Sequence, residues 1–218
     1  MNAMVNPAAL MIDATPHAVA RSAQHESAHL HVTGEAIYTD DIAAPRGTLS
    51  AAIGYAPAAH AVLRSVDVSA VLNAPGVIKV FTARDVPGVN NYGGIVQDDP
   101  ILATDLIEYH GQPVFMVVAE SHLLARKAAK LAKYDLEIRL PILSIDEALA
   151  AKSYVLDPVV TGRGDADAAL ARSPHRLSGK TACGGQDHFY LEGMIAMAHP
   201  VEDGQIAIYC STDRKSVG

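Results

Sequence analysis

Tyr134 to Leu140 (YDLEIRL) alternates apolar and polar residues without a break, placing Tyr134, Leu136, Ile138 and Leu140 on one face. That period of two fits a strand with one face on a core and nothing else of comparable length. Pro141 stops it, and Ser144 with Glu147 three residues on predicts a capping box that opens a short helix, IDEALAAK. Just upstream, Ser121 to about Lys133 predicts a helix with Arg126, Lys127, Lys130 and Lys133 outward and Leu124, Ala128, Leu131 and Ala132 inward. With no aromatic residues interleaved, the four bases read as a solvated face rather than an anion site.

The same alternation of periods occurs earlier in the chain. Ala61 to Asp67 predicts a strand, Ser69 a cap for the short helix SAVLN ended by Pro75-Gly76, and Val77 to Thr82 (VIKVFT) a buried strand. Thr48 to Tyr55 predicts a strand before them. After them, Leu106 to Tyr109 and Val114 to Ala119 flank His110-Gly111-Gln112-Pro113, a hairpin-type connection. Two βαβ-like units around an irregular middle, Asp85 to Thr104, predict an α+β domain. The organisation predicted is a loosely ordered arm over 1–23, a main domain over 24–152 and a linker over 153–173. Over 174–212 follows a β segment with strands at Arg176 to Ala182, His188 to Ala198 and Gln205 to Ser211, the last two joined at Glu202-Asp203-Gly204. That β segment is too small to bury both of its faces.

Composition removes several function classes. With 17 basic against 24 acidic residues, a net charge of -7, there is no electrostatic footprint for nucleic acid. No apolar run approaches the roughly 20 residues that span a bilayer, and the first residues lack the basic and apolar regions of a signal peptide. A cytoplasmic protein is expected. Cys183 and Cys210 lack CxxC spacing and read as reduced, half-buried thiols.

Candidate sites are few. His25, His29 and His31 cluster, and on a strand His29 and His31 would share a face; with Glu26 or Glu35 they would be a marginal zinc set, against the plainer reading of a His-rich edge. Asp40-Asp41 and Asp98-Asp99 are adjacent carboxylates beside turn residues, so turn chemistry accounts for them. No Ser-His-Asp arrangement or paired nucleophilic cysteine can be argued. Gly162-Arg163-Gly164-Asp165 and Gly184-Gly185-Gln186 are the Gly-dense loops, and neither has the spacing of a nucleotide cradle. The Gly184-Gly185 step allows close backbone approach to a bulky ligand, and Gln186 carries an amide that both donates and accepts.

GEAIYTDDI (Gly34 to Ile42), AHAVLRSVDVSAVLNAPGVIKVFTARDVPGVN (Ala59 to Asn90) and YHGQPVFMVVAESHLLARKAA (Tyr109 to Ala129) resemble the α/β hammerhead domain of the molybdenum hydroxylases, the aldehyde oxidase–xanthine dehydrogenase family. GGQDHFYLE (Gly184 to Glu192) resembles the start of that family's molybdopterin-binding region, and HESAHLHVTGEAIYTDDI is most similar to the large subunit of bacterial xanthine dehydrogenases. The resemblance implies an α+β fold: a hammerhead domain over 24–152, then over 174–212 the truncated start of the molybdopterin-binding domain. It implies hydroxylation of a purine (xanthine or hypoxanthine to urate) at a molybdopterin-bound molybdenum. Electrons would leave through Fe-S clusters and FAD to NAD, and the partner would be a small subunit carrying 2Fe-2S and FAD in a hetero-oligomer.

The cofactor-binding residues implied are Gln186, as a contact to the cofactor's oxo ligand, and Gly185. No catalytic residue is implied, because the family's Gly-rich loop, substrate-binding Arg and general-base Glu correspond to positions beyond residue 212. Asp213 to Gly218 (DRKSVG) does not resemble the family. An N-terminal fragment, inactive alone, is therefore expected. The alternatives are another molybdenum hydroxylase (aldehyde oxidase or carbon monoxide dehydrogenase) and a non-catalytic hammerhead assembly module.

Overall fold

The structure, a computed structural model, describes Ser22 and residues 24–212; the rest of the expected arm and the segment from Asp213 lie outside the described residues. Its elements are α1 (Ala28–Thr33), β1 (Ser50–Tyr55), β2 (Ala61–Asp67), α2 (Ser69–Leu72), β3 (Val77–Thr82), β4 (Leu106–Ile107) and β5 (Pro113–Ala119). Then come α3 (His122–Ala129), β6 (Lys133–Ile138), α4 (Ile145–Ala151), α5 (Ala166–Arg172), β7 (Ala196–Pro200) and β8 (Ile206–Cys210). Two compact units result, one of residues 45–184 and one made of the residues up to 44 together with those from 185 on.

In the 45–184 unit the most apolar strand takes the middle position. β5 (PVFMVVA) has no charged residue, buries Val114, Phe115, Val117 and Ala119, and lies between β1 and β3 in a three-stranded sheet. Its two pairings are antiparallel. A second sheet, ordered β4-β2-β6, holds the alternating segment that begins at Tyr134. Helix α3 packs on the first sheet through Ala125 and Ala128, both essentially buried, and Ser121 caps it by accepting from the Leu124 amide.

Phe115 sits at the centre with no exposed surface. Its cross-strand partner is Gly54, and a Cβ built on Gly54 would clash with the edge of the Phe115 ring. The two sheets meet beside this pair. The Tyr134 ring, on β6, lies 6.4 Å from that of Phe115, and its hydroxyl donates to the Tyr55 carbonyl at the end of β1 at 2.9 Å.

The paired strands are all antiparallel among the described residues, so the expected βαβ-like units do not form. β2 and β3 fall in different sheets, because a four-residue helix such as α2 is far short of the dozen or so residues that a parallel crossover needs. The expected hairpin at His110-Gly111-Gln112-Pro113 is likewise a passage between sheets, since β4 pairs with β2 and β5 with β1 and β3. Backbone bonds tie this turn to Ala56: the Gly111 amide donates to the Ala56 carbonyl (3.0 Å), and the Ala56 amide to the Gln112 carbonyl (2.9 Å). The Gln112 side chain is buried and accepts from the Glu108 amide at 2.8 Å.

Other elements are shorter than their sequence patterns. α3 ends at Ala129 rather than near Lys133, leaving Leu131 47% exposed, because β6 already begins at Lys133. α2 is preceded by Val68, and the Asp67 carboxylate, not Ser69, accepts the free amide at its start. Arg176 to Ala182 forms no strand, and His188 to Ala198 contributes only the first residues of β7. The Glu202–Gly204 turn joins β7 to β8 as expected, with Asp203 and Gly204 both at positive φ. Within the expected linker, 153–173, the chain forms α5, whose start Asp165 caps by accepting from the Ala168 amide.

Ser144 and Glu147 form the predicted capping box on α4. The Ser144 hydroxyl donates to the Glu147 carboxylate at 2.9 Å and the Leu143 amide donates at 3.1 Å; these bonds hold the carboxyl below its ordinary value of 4.5. A carboxyl whose pKa is lower in the folded chain adds stability above its unfolded pKa and loses it as the pH falls through the folded value. Melting of the wild type and Glu147→Gln across the acid range checks this. The advantage of the wild type should be present near neutrality and vanish in acid. Gly54→Ala should cost about 1–3 kcal/mol in denaturant unfolding, because Phe115 has no free space into which to retreat.

Candidate functional site

Gly184 to Leu191 crosses no regular element and is exposed along its length. Open space surrounds the position of a Cβ at both Gly184 and Gly185, so each glycine can be approached closely from that side. Gln186 is exposed, and among the described residues no hydrogen bond occupies its side-chain amide. Phe189 takes a left-handed φ of 46° with its ring 94% exposed, a conformation that a bulky residue rarely adopts unforced. The chain therefore presents a donor amide and an aromatic ring on irregular backbone, and no hydrogen bond among the described residues engages the amide.

The end of the segment is held. Glu192 is partly buried, and its carboxylate accepts from the Thr39 amide at 2.6 Å across 153 positions of sequence, within the unit to which both belong. Thr39 opens the one-turn 3-10 helix Thr39–Asp41, so this charged bond satisfies an amide that has no helical partner. Asp41 closes the same turn by accepting from the Tyr38 amide at 2.9 Å, which bears out turn chemistry for the Asp40-Asp41 pair. On the other side of Glu192, the Ser211 hydroxyl donates to the Gly193 carbonyl (2.7 Å) and accepts from the Ile195 amide (3.0 Å), fixing where β7 begins.

The histidines take other roles than a strand pair. His29 and His31 lie on helix α1, where residues two apart do not face each other, so the shared face expected of them is absent. The His31 Nδ1 lies 3.1 Å from the Tyr38 hydroxyl, and the His25 and His31 rings meet edge-on at 6.0 Å. Among the described residues no three His, Cys, Asp or Glu side chains gather as a metal set. Cys183 and Cys210 are free and exposed rather than half-buried. Gly162 to Asp165 serves as the lead into α5, with Gly164 at a φ of 77°.

Sequence reasoning singled out Gln186 and Gly185 but assigned nothing to Glu192. Its partner is remote in sequence, so no spacing could have revealed it.

Two family models match the chain. Residues 33–139 match the aldehyde oxidase and xanthine dehydrogenase a/b hammerhead domain, and residues 150–216 match the molybdopterin cofactor-binding domain. The second match takes in Asp213 to Ser216, part of the segment expected to lie outside the family. A xanthine dehydrogenase of Dictyostelium discoideum is 35% identical over 196 residues, which is 90% of this chain and 14% of that protein. Aldehyde oxidase 2 of Rattus norvegicus is 36% identical over 196 residues, 89% of this chain and 14% of that one. Among solved structures, the aldehyde oxidoreductase from Desulfovibrio gigas superposes with a TM-score of 0.75 at 29% identity, covering 86% of this chain and 23% of that one. The chain thus spans about a seventh of the length of the curated relatives it matches.

If Glu192 anchors the segment, Glu192→Gln should speed hydrogen exchange at the Thr39 amide and lower stability by about 1–2 kcal/mol, since a charged hydrogen bond is lost without removing the side chain. Exchange followed by NMR on both proteins checks this, with the Ala198 amide in β7 as an internal reference.

Proposed function

The chain belongs to the aldehyde oxidase and xanthine dehydrogenase family of molybdenum hydroxylases, and from that premise we propose that it serves in an enzyme that hydroxylates a purine, xanthine or hypoxanthine, to urate. Its share would be the hammerhead domain, over 24–152, and the opening of the molybdopterin-binding domain after it. The observation that carries the cofactor part of the reading is Gln186, an exposed amide with no partner among the described residues, beside two glycines with open space around them. That donor set suits a molybdenum–pterin group: a neutral amide N–H can bond an oxo ligand, and glycine backbone lets a large cofactor come close. When bound, the group supplies the two-electron acceptor for hydroxylation by water.

The chain's own contribution is binding and orientation. Gln186 donates toward the cofactor, Gly184 and Gly185 keep the approach open, and Glu192 with Ser211 holds the far end of the segment in place. General-base chemistry would come from a carboxylate outside these residues, and the 218 residues alone would not turn over substrate. Electrons would pass through Fe-S clusters and FAD, carried by a partner subunit in a hetero-oligomer, to NAD. A cytoplasmic location is part of the proposal. Separately, no helix among the described residues is long and apolar enough to cross a membrane.

Purine specificity rests on the likeness of the His-rich opening to xanthine dehydrogenases. An aldehyde is the second reading, favoured by relatives of equal identity that are named aldehyde oxidase. In the complete enzyme containing these residues, xanthine with NAD should be turned over with a higher kcat/KM than an aromatic aldehyde; the reverse order would establish the second reading. Gln186→Ala should lower kcat by about 10–100-fold, and molybdenum content by metal analysis reports whether the loss lies in retention or in turnover.

A further inference from the structure

Five consecutive residues of β1, Ala51 to Tyr55, form one wall of a depression of about 460 Å³ in the 45–184 unit. Side chains alternate across a strand, so a depression above one face would meet every second residue. Contact with five in a row places it along the strand's edge. The sheet order β1-β5-β3 leaves that edge of β1 without a neighbouring strand among the described residues. The Tyr134 hydroxyl closes one end by donating to the Tyr55 carbonyl, which leaves Ala51 to Gly54 as the open stretch.

The opposite wall is α3 with the residue that caps its end, contributing His122, Arg126, Ala129 and the C-cap Lys130. Arg126 and Lys130 stand one helical turn apart on the same face. Neither forms an ion pair among the described residues, whose two ion pairs are Arg64–Glu137 and Lys180–Asp146. β1 itself (SAAIGY) is uncharged. An unpaired neutral strand edge therefore runs beside two unpaired cations.

We propose that this groove binds an extended, acidic segment of another polypeptide, which adds as a strand to β1. Backbone bonds to the Ala51–Gly54 edge give the affinity. Carboxylates at alternate positions of the added strand fall over Arg126 and Lys130 and set its register. A second copy of this chain is disfavoured, because pairing two β1 edges would bring two cationic α3 faces together. A small anion would engage the cations and leave the strand edge idle.

Fluorescence anisotropy on the whole chain tests this with a labelled peptide of alternating Val and Glu. Two controls accompany it: the same peptide with Lys for Glu, and the Glu peptide N-methylated on the amides that would face β1. The Glu peptide should bind, and either control should weaken binding by about tenfold or more. Arg126→Glu with Lys130→Glu should do the same. No binding of the Glu peptide, equal binding of the Lys peptide, or equal binding of the N-methylated peptide would each overturn the proposal, the last by reducing it to charge alone. Should the double variant fail to fold, the two control peptides decide the question on the unaltered chain.

Discussion

The fit of Phe115 over Gly54 is the contact on which the 45–184 unit depends. An aromatic ring on the central strand needs room that no side chain on the neighbouring strand can give, and Gly54 supplies it by having none. With the ring seated, β1 lies close enough for Tyr134 to cross from the second sheet and bond Tyr55. α3 can then settle on the sheet through Ala125 and Ala128, small residues that bring helix and sheet together. A larger residue at Gly54 would push β1 away and disturb the sheet, the inter-sheet bond and the groove at the β1 edge together.

Much of this was legible in the sequence at the level of elements and much less at the level of topology. The period-two run from Tyr134, the Ser144–Glu147 box and the β-branched run at Val77 each encode a local conformation, and each formed, although β6 stops at Ile138 with Leu140 left exposed, and of Val77 to Thr82 only Val80 is buried. Which strands pair depends on contacts remote in the chain, such as those between Ala56 and the Gly111-Gln112 turn, and no periodicity reports them. The turn at His110 to Pro113 has hairpin composition, yet a buried Gln112 and an outside backbone partner turn it into a passage between sheets. The histidines show the same limit. His29 and His31 could sit on one strand face, and only the formation of α1 separates them.

The candidate site divides in the same way. Gln186 and its glycines stood out by residue type, and the cofactor contact proposed for them rests on resemblance to the family's motif rather than on their surroundings, which are open. Glu192 belongs to the same motif, and its described contact is an anchor: a charged bond to the Thr39 turn that sets where the exposed segment ends. An exposed donor followed by a fixed anchor is an arrangement that can meet a large cofactor without rebuilding the fold around it.

The contact proposed between the Gln186 amide and a molybdenum–pterin group carries the functional reading. It is tested most directly by an anomalous difference map at the molybdenum edge, from crystals of the complete enzyme that contains these residues. A single molybdenum peak beside the Gly184-Gly185-Gln186 segment is expected, with the Gln186 amide directed at the cofactor. A molybdenum peak remote from that segment, or Gln186 turned away toward solvent, would contradict it.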